Sequence, residues 1–290
     1  MISPSLVKNI EGAGLDVALI EQRVAGALAE DAHGGDLTSK ATISADHISK
    51  AHFTSRKSGV VAGTLVAAAV LEQCGITNYE IVKKDGSSVS AGEVIIEVEG
   101  NTRAILLAER TALNFLSHLS GIATITSLWV KEVLGTSTQV RDTRKTTPGL
   151  RELEKYAVRM GGGTNHRLSL SDAALIKDNH IAAAGGVVAA FSLVHEKFPT
   201  SEIEIEVDNL QQLRDVLPLK PGLILLDNMD PEQCAEAVAL VAGATKLEAS
   251  GGITIENARA YAEAGVDYIA VGALTHSAPN FDIGLDMEVE

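Results

Sequence analysis

The sequence predicts an α/β protein: a (β/α) barrel of about six parallel strands, preceded by a smaller α+β domain with antiparallel strands. Three observations carry this. Between residues 138 and 271, short apolar runs alternate with amphipathic helical patterns, the rhythm of a parallel sheet covered by helices. The first hundred residues instead hold short strand-like runs separated by turn signals. The composition, 46% apolar and only 3% aromatic with abundant Gly and Ala, suits a tightly packed aliphatic core. At 290 residues the chain is also too long for one small core, which favours two domains.

In chain order, Asp16 caps a helix in which Val17, Ile20, Val24 and Leu28 recur at helical spacing. Glu30 to Thr38 is a Gly-broken loop, Ile48 to Lys57 a strand, and Leu65 to Cys74 a helix closed by Gly75. Strands at Tyr79–Val82 and Val94–Val98 flank the turn signal Asp85-Gly86. A long amphipathic helix starts at Thr102, with Ile105, Leu106, Leu113, Leu116 and Leu119 on its apolar face and Gly121 expected to break or bend it. The domain boundary falls along this helix, giving an N-terminal domain of residues 1–113, a barrel of residues 114–275, and a tail of residues 276–290 returning to the first domain.

Barrel strands are expected at Thr138–Asp142, Ala173–Lys177, Glu202–Val207, Leu223–Asp227, Lys246–Ala249 and Asp267–Val271. Helices lie between them at Arg151–Met160, Ala182–Lys197, Leu210–Leu217, Pro231–Val241 and Ile255–Ala264. Pro231 suits a first helical turn and Thr254 an N-cap. No GxGxxG follows the first of these strands, so a barrel explains them better than a dinucleotide-binding sheet.

Charge and cysteine usage narrow the function. The chain carries a net charge of −14, yet Arg141 to Lys177 holds eight Lys or Arg against four acids. A basic island in an acidic chain fits a small, highly charged anion rather than nucleic acid, which wants a basic face over the whole domain. Cys74 and Cys234 lie apart with no metal-ligand spacing, which fits reduced thiols and a cytoplasmic setting. The N-terminus lacks a secretory pattern, and the longest apolar run, Gly59 to Leu71, falls short of the roughly 20 residues a bilayer needs. No membrane partner is expected.

Chemistry-bearing residues gather at the C-terminal ends of the predicted strands, where parallel barrels build their sites. They are Arg141 to Lys145, Lys177 to His180, Glu206 with Asp208, Asp227-Asn228, Ser250-Gly251-Gly252 and Val271-Gly272-Ala273. Glycine loops after the last two strands suit a phosphate, although Gly251-Gly252 alone is equally a tight turn. Glu206 and Asp227 suit either Mg²⁺ or the stabilisation of developing positive charge, with N-capping as the plain alternative. Arg144, Lys145, Arg167 and Lys177 are the anion binders. His166 is open between a structural and a functional role, and Arg110 alone reads as a solvated helix residue or ion-pair partner. Arg151, Lys155 and Arg159, four apart, are expected to form a solvated stripe on one helix face.

Beyond these readings, DTRKTTPGLR at 142–151, GGGTNHR at 161–167 and AALIKDNH at 173–180 resemble signature blocks of the quinolinate phosphoribosyltransferase family. So do GDLTS at 35–39, LAERTALNFLSHLSGIAT at 107–124, EVD at 206–208, LLDN at 225–228, ASGGI at 249–253 and VGALTHS at 271–277. The resemblance implies an open or incomplete barrel of six parallel strands and an N-terminal α+β domain completed by the tail. It implies transfer of a phosphoribosyl group from phosphoribosyl pyrophosphate to quinolinate with loss of CO₂, the help of Mg²⁺, and a homodimer or larger assembly. Arg144, His166, Arg167 and Lys177 fall where the family binds quinolinate carboxylates, and Arg110 where a neighbouring subunit contributes an arginine. Lys145 and Lys177 border the pyrophosphate, with Thr143 in the same block. Glu206 and Asp227 fall at the metal and ribose positions, and Ser250, Gly251, Gly252, Val271, Gly272 and Ala273 at the 5′-phosphate. The catalytic group so implied is Lys145, Lys177, Glu206 and Asp227. Two competing readings are a Schiff-base aldolase using Lys177 and a non-catalytic barrel that binds a phosphometabolite.

Overall fold

The computed structural model describes residues 2–288. In chain order the elements are α1 (Pro4–Gly12), α2 (Val17–Asp31), α3 (Leu37–Thr42), β1 (Ile48–Ser55), β2 (Gly59–Val60), α4 (Thr64–Gln73), β3 (Tyr79–Ile81), β4 (Ser88–Val89) and β5 (Val94–Asn101). Then follow α5 (Thr102–Glu132), β6 (Gln139–Arg141), α6 (Arg151–Met160), β7 (Ala174–Ile176), α7 (Asp178–Ala184), α8 (Val187–Lys197), β8 (Ile203–Val207) and α9 (Leu210–Val216). The chain continues through β9 (Leu223–Asp227), α10 (Pro231–Val241), β10 (Lys246–Ser250), α11 (Ala258–Ala264), β11 (Tyr268–Ala270), α12 (Ala273–His276) and β12 (Ile283–Met287).

Two compact units result: Met1–Ile125 with Glu152–Gly162 and Ser277–Glu290, and Thr126–Arg151 with Gly163–His276. In the first, β12-β1-β5-β3 form an antiparallel sheet, so the tail supplies an edge strand. Helices α1, α2 and α3 start at side-chain caps, where Ser3, Asp16 and Asp36 accept hydrogen bonds from otherwise unpaired N–H groups. The units divide within α5, further along than the boundary expected after Leu113. Most of α6, expected within the barrel, belongs to the first unit: Glu154 meets His118, and the Tyr156 hydroxyl donates to Asp85.

The second unit is a six-stranded parallel sheet in the order β6-β11-β10-β9-β8-β7. First and last strands pair, as in a barrel, but among the described residues no ladder joins β6 to β7. The barrel is open at that seam. Thr164 covers the free edge of β6, donating to the Val140 carbonyl at 2.8 Å and accepting from the Asp142 N–H at 3.2 Å.

Four local expectations change. Helix α5 runs unbroken through Gly121, because a Cβ there would lie 2.2 Å from the Pro279 carbonyl oxygen. The glycine admits a crossing backbone rather than a bend. The helix expected over Ala182–Lys197 is two helices, α7 and α8, separated by Gly185 and Gly186 at φ +89° and +132°. The α11 N-cap is Asn257, not Thr254, whose carbonyl instead accepts from the N–H groups of Asn257 and Ala258. Lys155 is 2% exposed, so the predicted stripe on α6 is not solvated along its length; of its three members only Arg159 is exposed.

Candidate active site

Strand alternation gives the sheet one charged face. β8 reads Ile-Glu-Ile-Glu-Val, so Glu204 and Glu206 share a face and Ile203, Ile205 and Val207 take the other. The ladder sets Glu206 level with Leu225 and Leu225 level with Glu248, while Asp227 is level with Ser250. Lys177 directly follows β7, and its Nζ reaches Glu206 Oε2 at 2.6 Å. The Asp178 N–H donates to the other oxygen of Glu206 at 3.3 Å.

At this end of the sheet Glu206, Asp208 and Asp227 bring carboxylate oxygens within 4.8 Å of one another. Burial first, and then the negative charge of Glu206, pushes the Asp227 carboxyl above its ordinary range. Asn228, in a left-handed conformation at φ +52°, donates from its side chain to Asp227 at 2.6 Å. The neighbouring Gly251 and Gly252 are left-handed at φ +89° and +63°, and a Cβ on Gly251 would lie 2.2 Å from Asn228 Oδ1. Gly272 has its own reason: a Cβ there would press on the Lys145 side chain at 3.0 Å. Lys145 is exposed, its carbonyl accepts from the Thr275 hydroxyl at 2.8 Å, and its N–H donates to Thr143 Oγ1 at 3.0 Å. Buried Val271 donates to the Arg141 carbonyl at 2.9 Å, placing Gly272 and Ala273 at the start of α12.

The charge of Arg144 bears on Arg167. Burial and then the charge of Arg144 hold the Arg167 guanidinium below its usual value, with Glu204 and Asp172 offsetting only part. The Nε atoms of both arginines are buried without a hydrogen-bond partner. Two cations with orphaned donors are the inverse image of an anion.

His166 does not stand open. Its Nε2 lies 2.8 Å from Glu204 and 3.5 Å from Glu248, its Nδ1 accepts from the Arg167 N–H at 2.8 Å, and its own N–H donates to Asp142 at 2.9 Å. Glu248 also accepts from Arg141 at 2.8 Å, and burial with the nearby charge of Glu204 pushes its carboxyl up to about 7. The Arg141 guanidinium sits 4.1 Å from the Tyr268 ring centre. A cavity of about 570 Å³ opens here, lined by Arg141, His166, Arg167, Glu204, Lys246 and Tyr268 among others.

The predicted residues from Thr143 to Ala273 thus all lie in the second unit, at strand ends or in the loops that follow, and a direct contact joins Lys177 to Glu206. Arg110 lies in the first unit, exposed on α5 and without an ion pair to the described residues. Sequence reasoning passed over Glu204, Glu248 and Tyr268; it placed Arg141, Asp142 and Asp208 among the chemistry-bearing strand ends without giving their side chains a role in the site. The period-two pattern in IEIEV was the available signal for Glu204.

The sequence matches the profiles of "Quinolinate phosphoribosyl transferase, C-terminal domain" over residues 122–286 and of its N-terminal domain over residues 36–120. The chain belongs to the quinolinate phosphoribosyltransferase family. A nicotinate-nucleotide pyrophosphorylase [carboxylating] of Mycobacterium leprae is 49% identical over 268 residues, covering 90% of this chain and 94% of that protein. The nicotinate-nucleotide pyrophosphorylase structure from Ehrlichia chaffeensis superposes with a TM-score of 0.88 at 40% identity, over 92% of this chain and 98% of the other. That from Francisella tularensis gives 0.89 at 37%, over 94% and 98%. Family membership therefore extends over both units and accounts for the open six-stranded sheet and the antiparallel one.

Proposed function

We propose that this chain transfers the phosphoribosyl group of phosphoribosyl pyrophosphate to quinolinate with loss of CO₂, yielding nicotinate mononucleotide and pyrophosphate for NAD synthesis. The observation that carries the reading is the pair Arg144 and Arg167: their buried Nε atoms have no hydrogen-bond partner, and the charge of Arg144 bears on Arg167. They match a pyridine dicarboxylate, whose carboxylates take bidentate forks. The carboxylate cluster of Glu206 and Asp227 matches a ribosyl carbon that becomes cationic as pyrophosphate leaves. Lys145 and Lys177 offer point charges to that leaving group, and the loops at Ser250–Gly252 and Val271–Ala273 offer backbone N–H groups to the 5′-phosphate.

In the transfer, the quinolinate nitrogen forms a bond to the anomeric carbon and the carbon–oxygen bond to pyrophosphate breaks. The 2-carboxylate then leaves as CO₂; its bonding electrons remain on the ring carbon beside the cationic nitrogen, and a proton replaces it. No nucleophilic side chain is needed.

Glu206, Asp208 and Asp227 form an all-oxygen donor set of like charge, which fits Mg²⁺. When bound there, Mg²⁺ would neutralise phosphate charge. A cytoplasmic setting belongs to the same proposal, supported by the unpaired Cys74 and Cys234, whose burial raises the thiols to about 11 and about 12. So does a homodimer in which Arg110 serves the neighbouring subunit's site. No helix among the described residues is long and apolar enough to cross a membrane.

A Schiff-base role for Lys177 loses support, since its amine is paired with Glu206 at 2.6 Å rather than set in an apolar pocket. The deciding experiment offers quinolinate or nicotinate to the protein with phosphoribosyl pyrophosphate and Mg²⁺. Nicotinate mononucleotide is expected from quinolinate alone. Product from neither acceptor, or from nicotinate alone, overturns the proposal.

A further inference from the structure

Resting on that reading, we propose that Glu204 and Glu248 are positioning residues for the quinolinate half of the site. They fix His166, and through it they fix the backbone from which Arg167 reaches a substrate carboxylate.

The loop that carries His166 and Arg167 lies between α6 and β7 and contains no helix or strand of its own. An arginine on such a segment needs outside support to hold a bidentate geometry. His166 provides it, because both its ring nitrogens engage protein: Nε2 faces Glu204 and Glu248, and Nδ1 accepts the Arg167 N–H at 2.8 Å. Held in this way, His166 braces the backbone at Arg167.

The two carboxylates come from β8 and β10, each held in the sheet by a strand on either side. Arg141 braces Glu248 at 2.8 Å, and Tyr268 stacks on Arg141. From the other side, Asp142 accepts the His166 N–H at 2.9 Å and the Asn165 side chain at 2.5 Å. Glu248 is 0% and Glu204 5% exposed, and each keeps one oxygen without a hydrogen-bond partner. Burying two facing carboxylates is costly, and an apolar pair of similar size would stabilise the fold as well or better. Their placement therefore serves geometry at His166 rather than stability.

The test measures binding of quinolinate and, separately, of phosphoribosyl pyrophosphate by calorimetry. Glu204→Leu and Glu248→Leu should weaken quinolinate binding by about tenfold or more while phosphoribosyl pyrophosphate stays within about twofold. Glu204→Gln, which still accepts from His166, should recover most of the loss. Glu236→Gln, exposed on α10 and outside the proposed machinery, should change neither. Should the leucine variants not fold, ¹⁵N spectra of wild-type His166 decide: Nε2 bearing hydrogen and Nδ1 bare, with and without quinolinate. Quinolinate binding within about twofold of wild type in Glu204→Leu, equal losses for both ligands, or a His166 nitrogen passing to the substrate overturns the proposal. Wild-type protein that binds no quinolinate would instead overturn the functional reading beneath it.

Discussion

At the scale of single residues, a cation set beside another cation suits an anion, and a buried carboxyl favours a retained proton. Arg167 is the first case. On the proposed function, Arg167 forks a substrate carboxylate, and losing that fork removes a charge-assisted interaction of about 1.5–3 kcal/mol. Arg167→Ala should raise the KM for quinolinate by about 10- to 100-fold and that for phosphoribosyl pyrophosphate by less than about threefold. Equal rises in steady-state kinetics would misplace the subsite. Asp85 is the second case. Burial raises its carboxyl, although it accepts from the Thr64 N–H at 2.9 Å and the Tyr156 hydroxyl at 2.7 Å. Because the folded value lies above the unfolded one, the native state binds the proton more tightly. Stability from this group is greatest in acid and falls as pH rises from the unfolded carboxyl value, about 3.9, up through the raised native value. Asp85→Asn removes the charge: its amide oxygen accepts from the Thr64 N–H and its amide nitrogen donates to the Tyr156 hydroxyl, turned to accept, so urea unfolding of wild type and variant should converge in acid and diverge as pH rises, with the variant the more stable. A difference independent of pH would contradict this.

At the scale of elements, what the sequence made legible depended on how local the cause was. The strands β6 to β11 announce themselves as apolar runs, and functional groups at their ends could be named because chain direction puts them there. Glu204 and Glu248 lie inside strands, so attention to strand ends passes them by, although alternation alone would place Glu204 with Glu206. Gly121 and Lys155 were illegible for another reason. The Pro279 carbonyl that meets Gly121 comes from far along the chain, and the burial of Lys155 is set by tertiary packing rather than by its helical spacing. Gly121 yields a sign test. In an open helix Gly→Ala stabilises by about 1 kcal/mol. Here the added methyl meets backbone at 2.2 Å, so Gly121→Ala should destabilise by about 1–3 kcal/mol in urea unfolding. A gain in stability would mean that the tail can move aside at no cost.

At the scale of the whole molecule, the fold class was legible because a six-fold strand–helix alternation leaves few topologies. Its openness was legible only through the family resemblance, since the seam between β6 and β7 is a pairing absent among the described residues rather than any residue present. Nor does sequence alone tell which subunit Arg110 serves. Mixing Arg110→Ala with Lys177→Ala, each inactive alone, should restore about a quarter of wild-type activity if statistical hybrid dimers carry one intact site each. Confirmed hybrids without activity would contradict a shared site. The central claim is that one site couples phosphoribosyl transfer to decarboxylation. It is tested most directly by following label from quinolinate carrying carbon-14 in its 2-carboxylate. Labelled CO₂ should appear only when phosphoribosyl pyrophosphate is present, in a one-to-one ratio with pyrophosphate and nicotinate mononucleotide. Release of CO₂ without phosphoribosyl pyrophosphate, or pyrophosphate released with no labelled CO₂, would contradict it.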